Sequence, residues 1–218
     1  MHPSVHAQTQ PDKPAFIMAA SGETVTYRQL DERSNQGAQL FRKLSLKVGD
    51  GIAIFMENNV HYLPLCWAAQ RSGLYFTCIS SRLTAGEIEY IVKDCNAKIF
   101  ITTKSMGDVA AELGHGLTGV KKLMFGGTMP GYEGAEDALR SMPTAPVSDE
   151  TPGADMLYSS GTTGRPKGVR RALTGGSLVQ PNSLSMLTKM LYSFDENTKY
   201  LSPAPLYHAA PLRYNMAV

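Results

Sequence analysis

The chain has 218 residues, 43% of them hydrophobic and 18% charged, with a formal net charge of +2. That much apolar content can build a core, and so little charge excludes an intrinsically disordered chain. Lys and Arg are scattered, with Arg42-Lys43, Lys121-Lys122 and Arg170-Arg171 the doublets, so there is no basic footprint for nucleic acid.

From the N-terminus, residues 1–11 carry neither the basic nor the apolar segment of a signal peptide. No apolar run reaches the roughly 18 residues a membrane span needs, so the expectation is a cytoplasmic protein. Thr26-x-x-Gln29 is a capping box that predicts a helix to about Leu44, with Leu30, Ala38, Leu40, Phe41 and Leu44 at helical spacing. Gly49-Asp50 turns into a short apolar strand, Gly51 to Met56. A helix follows from about Val60 to Arg71, with Leu63, Trp67 and Ala68 on one face. Gly73 ends it, and Leu74 to Ile79 reads as a strand. Thr84-x-x-Glu87 caps a helix with Ile88, Ile91 and Val92 inward. Lys98 to Thr102 is a strand, Ser105 to Leu117 a helix, and Lys121 to Phe125 another strand. This alternation implies parallel βαβ units, whose ligands bind beyond the carboxyl ends of the strands.

Gly126 to Asp155 is rich in Gly, Pro, Ser and acids and reads as a surface loop with one short helix near Glu133 to Ser141. Ala154 to Tyr158 is a short apolar stretch that reads as a strand. Later, Leu184 to Leu191 has helical apolar spacing, Lys199 to Ser202 reads as a strand, and a Pro-rich turn leads to His208. The three cysteines, Cys66, Cys78 and Cys95, form no C-x-x-C pair. They predict neither a disulfide framework nor a zinc site, and Cys66 and Cys78 sit in apolar stretches that suit buried thiols. His2, His6, His61 and His115 have no partner pattern and read as structural.

Tyr158 to Gly168 reads Y-S-S-G-T-T-G-R-P-K-G. Glycines let backbone N–H groups approach an anion closely, and successive N–H groups in a turn form an anion-binding nest. The hydroxyls add donors and Lys167 a full charge, worth roughly 4 kcal/mol against one phosphate charge at about 4 Å before desolvation. Two other readings compete. One is a flexible Ser/Thr/Gly linker, which does not require Pro166 to stiffen the chain before Lys167. The other is a P-loop, but Gly161 and Gly164 are too close together for it. Lys167 is also followed by Gly168 where that motif needs Ser or Thr. A polyphosphate cradle fits the order of residues best.

The same run is similar to the phosphate-binding signature of the adenylate-forming enzymes, which include acyl-CoA synthetases, luciferases and the adenylation domains of peptide synthetases. Residues 25–30 (V-T-Y-R-Q-L) resemble the family's early T-Y-x-x-L helix start. Residues 48–54 (V-G-D-G-I-A-I) resemble its G-D-x-V-A-I strand. Residues 69–76 (A-Q-R-S-G-L-Y-F) resemble its A-x-x-x-A-G-A-x-Y/F turn, and residues 202–208 (S-P-A-P-L-Y-H) its P-L-F/Y-H segment. The resemblance implies an α/β fold, a parallel sheet flanked by helices. Residues 1–218 would then be an incomplete large N-terminal domain. Within it, 1–125 are a βαβ-rich subdomain, 126–153 a surface connection, and 154–218 the phosphate-loop segment and start of the acyl pocket. The family's C-terminal domain and its adenine, ribose and magnesium residues would lie beyond Val218. The chain alone is accordingly expected to be inactive.

The activity so implied is that of a carboxylic acid–CoA ligase. A carboxylate attacks the α-phosphorus of Mg-ATP to give an acyl-adenylate and pyrophosphate, and coenzyme A then displaces AMP. The resemblance assigns Ser159, Ser160, Gly161, Thr162, Thr163 and Gly164 to the β/γ-phosphates, with Lys167 as the mobile positive charge. His208 would lie against the acyl carboxylate, with Tyr207 as pocket wall. Arg165 reads as surface, and Arg170-Arg171 as extra cationic charge near the phosphates. No H-E-x-x-H or Cys/His cluster suggests a protein-bound metal, so Mg2+ would arrive with ATP. A non-catalytic nucleotide- or acyl-binding module and a peptide-synthetase adenylation domain remain alternatives. The apolar stretch from Pro211 to Val218 predicts uncovered surface, and with it marginal stability or a homodimer.

Overall fold

The computed structural model describes residues 2–159, 165–180 and 183–217. Helix α1 (Pro3–Thr9) and a hairpin of β1 (Pro14–Ile17) with β2 (Thr24–Thr26) lead into α2 (Tyr27–Lys43). The Thr26 capping box is formed: Thr26 Oγ1 accepts from Gln29 N at 3.3 Å and Gln29 Oε1 from Thr26 N at 3.0 Å. Next come β3 (Gly51–Phe55), α3 (Tyr62–Arg71), β4 (Tyr75–Ile79), α4 (Ala85–Asp94), β5 (Ala97–Thr103), a 3-10 turn (Lys104–Met106), α5 (Gly107–Gly116) and β6 (Lys121–Phe125). Thr84 and Glu87 form the second capping box, at the start of α4. The short β7 (Glu133–Gly134) and α6 (Ala135–Arg140) precede β8 (Ala154–Asp155).

Six strands form one all-parallel sheet in the order β7-β6-β5-β3-β4-β8. The chain leaves β3 to one side for β4 and returns to the other side for β5. The carboxyl ends of β3 and β5 therefore flank the switch in winding direction, where such sheets form a crevice. Alternate residues of β3 divide the core. Ile52 and Ile54 pack with Phe41 of α2 and Trp67 of α3, whereas Ala53 and Phe55 pack with Ile88 and Ile91 of α4 and Leu113 of α5. The result is a three-layer α/β/α domain, as the alternating pattern implied.

Helix α3 is buried all round rather than on the single face expected, because it is wedged between α2 and the sheet. Close approach to α2 requires Gly37, where a Cβ would stand 2.5 Å from Ala68 Cβ. The chain from α6 back to β8 runs across α2. There Gln36 donates to Met142 O, Gln39 to Ala145 O, and Arg42 to Asp149. The three thiols are free and buried, and burial pushes those of Cys66 and Cys95 upward.

Three expectations need correction. Lys199 to Ser202 is not a strand, since the segment has no neighbouring strand to pair with among the described residues. Ala154 to Tyr158 is divided at Met156 between β8 in the main sheet and β9 (Leu157–Ser159) in a separate hairpin. The stretch after Pro211 is not uncovered either: α8 (Ala209–Asn215) places Leu212 in the core at 0% exposure. The exposed apolar surface lies instead on α7 (Ser183–Tyr192) and at Leu201, with Met190 75% and Leu201 78% exposed.

His2 caps α1 through Nδ1, which accepts from Ser4 N, and packs edge-on against Trp67 with ring centroids 5.1 Å apart. Burial, reinforced by Arg71 and the terminal amino group, pulls its imidazole down to about 3. The unfolded chain takes this proton near pH 6.5, and the folded chain does so only near pH 3. The stability contribution is thus complete above about 6.5 and is lost as pH falls towards 3, at no more than roughly 1.4 kcal/mol per pH unit. His2→Asn keeps a helix cap but cannot titrate. Its urea midpoint should decline less steeply than the parent's between pH 6.5 and 4, and superimposable slopes would contradict this assignment.

Candidate active site

Strand β9 follows β8 alongside β4 and pairs antiparallel with β10 (Lys167–Val169). The register sets Lys167 opposite Ser159, Gly168 opposite Tyr158, and Val169 opposite Leu157. The two ends of the hydroxyl-and-glycine run, Ser159 and Lys167, thereby meet across a ladder. Ser160, Gly161, Thr162, Thr163 and Gly164 lie outside the described residues. Lys167 is exposed, and its ammonium has no hydrogen-bond or ion-pair partner among the described residues.

The hairpin is fixed from beneath. Tyr158 donates from its hydroxyl to Asp94 at the end of α4. Burial, and then this carboxylate, hold the phenol far above its ordinary range, so it stays protonated as a donor. Gly168 is required where Tyr158 folds back over β10, because a Cβ there would stand 2.6 Å from Met156 Cε and 2.8 Å from Tyr158 Cζ. Tyr90 Oη lies 3.4 Å from Pro166 O, and the Arg165 guanidinium lies 5.7 Å from the centre of the Tyr90 ring. Arg165 is exposed, in agreement with its reading as surface.

The Arg170 guanidinium is engaged at the other end of the ladder from Ser159 and Lys167. It lies 4.2 Å over the Tyr75 ring and donates to Gly49 O at 3.0 Å, while Tyr75 Oη donates to Arg171 O at 2.6 Å. These contacts are at the amino-terminal edge of the sheet, because β10 runs antiparallel to its neighbour and carries the chain away from the Ser159–Lys167 end.

The second group of candidates sits on the turn entering α8. His208 is the N-cap residue, its N–H donates to Pro205 O at 3.2 Å, and its side chain makes no capping bond. The imidazole is exposed, beside the half-buried Tyr207 ring at 4.6 Å between centroids. Asn58, just beyond the carboxyl end of β3, pins this turn by donating to Ala204 O at 3.2 Å and accepting from Leu206 N at 2.9 Å. Arg213 of α8 donates through Nη2 and Nε to Asp155 of β8 at 2.6 and 3.2 Å. The His208 turn and the base of the hairpin are therefore tied to the same sheet. Asn58, Asp155 and Arg213 were not singled out from the sequence. Asn58 left a weak signal, a polar residue directly after an apolar strand. The other two left none, being opposite charges far apart in the chain.

The three-layer α/β domain and the Ser159–Lys167 ladder that follows its sheet agree with the adenylate-forming class that the sequence resembles. Residues 4–218 match the AMP-binding enzyme family, and the chain belongs to it. It is 30% identical over 166 residues to a fatty acid–[acyl-carrier-protein] ligase of Streptomyces coeruleorubidus, covering 76% of this chain and 31% of that protein. It is 31% identical over 202 residues to a feruloyl-CoA synthase of an Amycolatopsis species, covering 91% of this chain and 37% of that one. The chain thus spans about a third of the length of the curated relatives it matches. In three dimensions it is similar to a fatty acyl CoA synthetase of Mycobacterium tuberculosis, with a TM-score of 0.74 at 22% identity over 99% of this chain and 41% of that one. At that identity the likeness concerns the fold. The O-succinylbenzoate CoA synthetase of Bacillus subtilis, solved with ATP and magnesium, gives a TM-score of 0.76 at 19% identity over 100% of this chain and 54% of that one.

Proposed function

We propose that the chain forms the phosphate-binding part of an ATP-dependent carboxylic acid–CoA ligase. The observation that carries this reading is the pairing of Lys167 with Ser159 across the β9–β10 ladder. In this reading Ser159 to Gly164 wrap the β/γ-phosphates of ATP, and Lys167 meets the charge that develops on the departing pyrophosphate. Positioning and electrostatics dominate such chemistry, and the β9–β10 ladder keeps Ser159 and Lys167 side by side before the reaction begins. His208 and Tyr207 would flank the incoming carboxylate, on the turn that Asn58 fixes.

Magnesium enters as part of the nucleotide, and coenzyme A accepts the acyl group from the adenylate. Adenine and ribose contacts would come from a further part of the fold, so the chain on its own is proposed to bind phosphate without turning over. The test is acid-dependent ATP–pyrophosphate exchange with a panel of fatty and aromatic acids. Exchange should be absent with residues 1–218 alone and should appear when the remainder of an adenylate-forming fold is joined. If the joined protein binds ATP but makes no acyl-adenylate from any acid, the chain is a binding module and the ligase reading fails.

A further inference from the structure

A second cleft, apart from the hairpin, opens at the switch in the sheet between the carboxyl ends of β3 and β5 and beside that of β6. Its volume is about 320 Å3, within the range of small-ligand sites. Glu57 and His61 reach it from the β3–α3 turn, Lys104 from the turn after β5, Phe125 from β6, and Glu136 from α6. Each carboxylate uses one oxygen to bind the protein. Glu57 Oε2 accepts from Thr103 Oγ1 at 2.6 Å, and Glu136 Oε1 accepts from Gly126 N at 2.7 Å. The other oxygen of each has no hydrogen bond among the described residues, and neither has the ammonium of Lys104. Opposite charges share one cleft without satisfying each other.

This distribution selects its ligand. Two carboxylates oppose a phosphate or a simple acid, and Lys104 opposes a simple amine. Burial holds the His61 imidazole below its usual range and so leaves Lys104 as the cleft's cation near neutrality. The His61 ring stacks on Phe125 at 4.1 Å between centroids, which gives the cleft an apolar wall. Among the described residues no three His, Cys, Asp or Glu side chains are grouped to hold a metal. We infer that the cleft binds a small zwitterion of the α-amino acid class, with its ammonium between Glu57 and Glu136, its carboxylate on Lys104 and an apolar side chain on the His61–Phe125 wall. Asn58, next to Glu57 in the chain, also holds the turn that carries His208, so one loop serves both sites.

Calorimetric titration of the 218-residue chain with L-phenylalanine, phenethylamine and 3-phenylpropionate tests this directly. L-phenylalanine should bind saturably, at least about tenfold more tightly than phenethylamine and than the Lys104-dependent part of any 3-phenylpropionate binding. Lys104→Met and Glu136→Gln should each weaken it by about tenfold or more. Both variants should keep the parent circular dichroism, because Lys104 is exposed and glutamine can still accept from Gly126. Binding of 3-phenylpropionate at the proposed acyl site would be unmoved by Lys104→Met, which separates the two sites. The proposal is overturned if L-phenylalanine gives no saturable signal up to ~10 mM, a concentration corresponding to under about 3 kcal/mol of binding. It also fails if phenethylamine binds as well as the amino acid, if 3-phenylpropionate does so in a way that Lys104→Met weakens, or if either variant binds L-phenylalanine like the parent.

Discussion

Arg71→Met should destabilise the domain by about 3 kcal/mol, the low end for breaking one side of a buried ion pair. Arg71 ends α3 with only 1% of its side chain exposed. Its Nη2 donates to Asp31 Oδ1 at 2.7 Å, and its Nη1 donates to Asp31 O at 3.2 Å, to Ser34 Oγ at 3.0 Å and to Asn35 Oδ1. Nε stands 3.0 Å from Glu150 Oε1, near enough for charge attraction but misaligned, so neither atom has a hydrogen bond. The guanidinium thus joins three separate pieces of chain: α2, α3 and the segment returning to β8. Burial raises the Glu150 carboxyl while Arg71 lowers it, and removing the arginine leaves burial unopposed.

Asp31 and Glu150 keep 21% and 28% side-chain exposure, so water can recover part of their solvation, which is why the low end of the range applies. With a denaturant slope of about 2 kcal/mol per molar, the urea midpoint should fall by roughly 1.5 M. Arg71→Lys should restore only part of this, because an ammonium cannot reproduce the planar fork that serves Asp31, Ser34 and Asn35 together. A midpoint within roughly 0.2 M of the parent for Arg71→Met would show that the network contributes little.

The Arg71 cluster also marks where the sequence could and could not be read. Asp31, Ser34 and Asn35 lie at helical spacing on the face of α2 that meets α3, and polar residues there were the available signal. An arginine in the last turn of a helix ordinarily reads as a solvated cation near the helix dipole, and nothing local says that Arg71 turns inward. The helices opened by Thr26 and Thr84 were legible because a capping box is closed by residues three apart, independent of the rest of the fold. The central strands were legible because both their faces are buried and their apolar runs are unbroken. Helix α1 was not, since a short segment capped by a histidine gains its order from packing on α2 and Trp67. Strand β10 was not, since Lys167-Gly168-Val169 has no alternation of its own and becomes a strand only by pairing with residues 157–159. Helix α7 has the expected apolar spacing, yet Met186 and Met190 on it are exposed. Periodicity predicts the helix and is silent about what covers it. At the candidate site, residue types and order pointed to the cradle, whereas the positioning by Tyr158, Asp94, Asn58, Asp155 and Arg213 emerged only in three dimensions.

Lys167→Ala should lower acid-dependent pyrophosphate exchange, in the protein joined to the remaining adenylate-forming fold, by roughly 10²–10³-fold, the range for losing one pre-placed charge-stabilising donor. The side chain is exposed and has no partner among the described residues. The ladder holding it uses only backbone, so the variant should melt like the parent. Loss of rate without loss of fold is then a statement about charge at the leaving pyrophosphate. Lys167→Arg keeps the charge at greater reach and should recover part of the rate. In residues 1–218 alone, Lys167→Ala should weaken pyrophosphate binding by about tenfold at low salt, because most of the roughly 4 kcal/mol Coulomb attraction is offset by desolvation. The difference between parent and variant should shrink as salt is raised, since an exposed charge is screened over about 8 Å at physiological ionic strength. Exchange within twofold of the parent would remove Lys167 from the reaction. A salt-independent loss of binding would instead mean that the substitution had disturbed the β9–β10 hairpin itself.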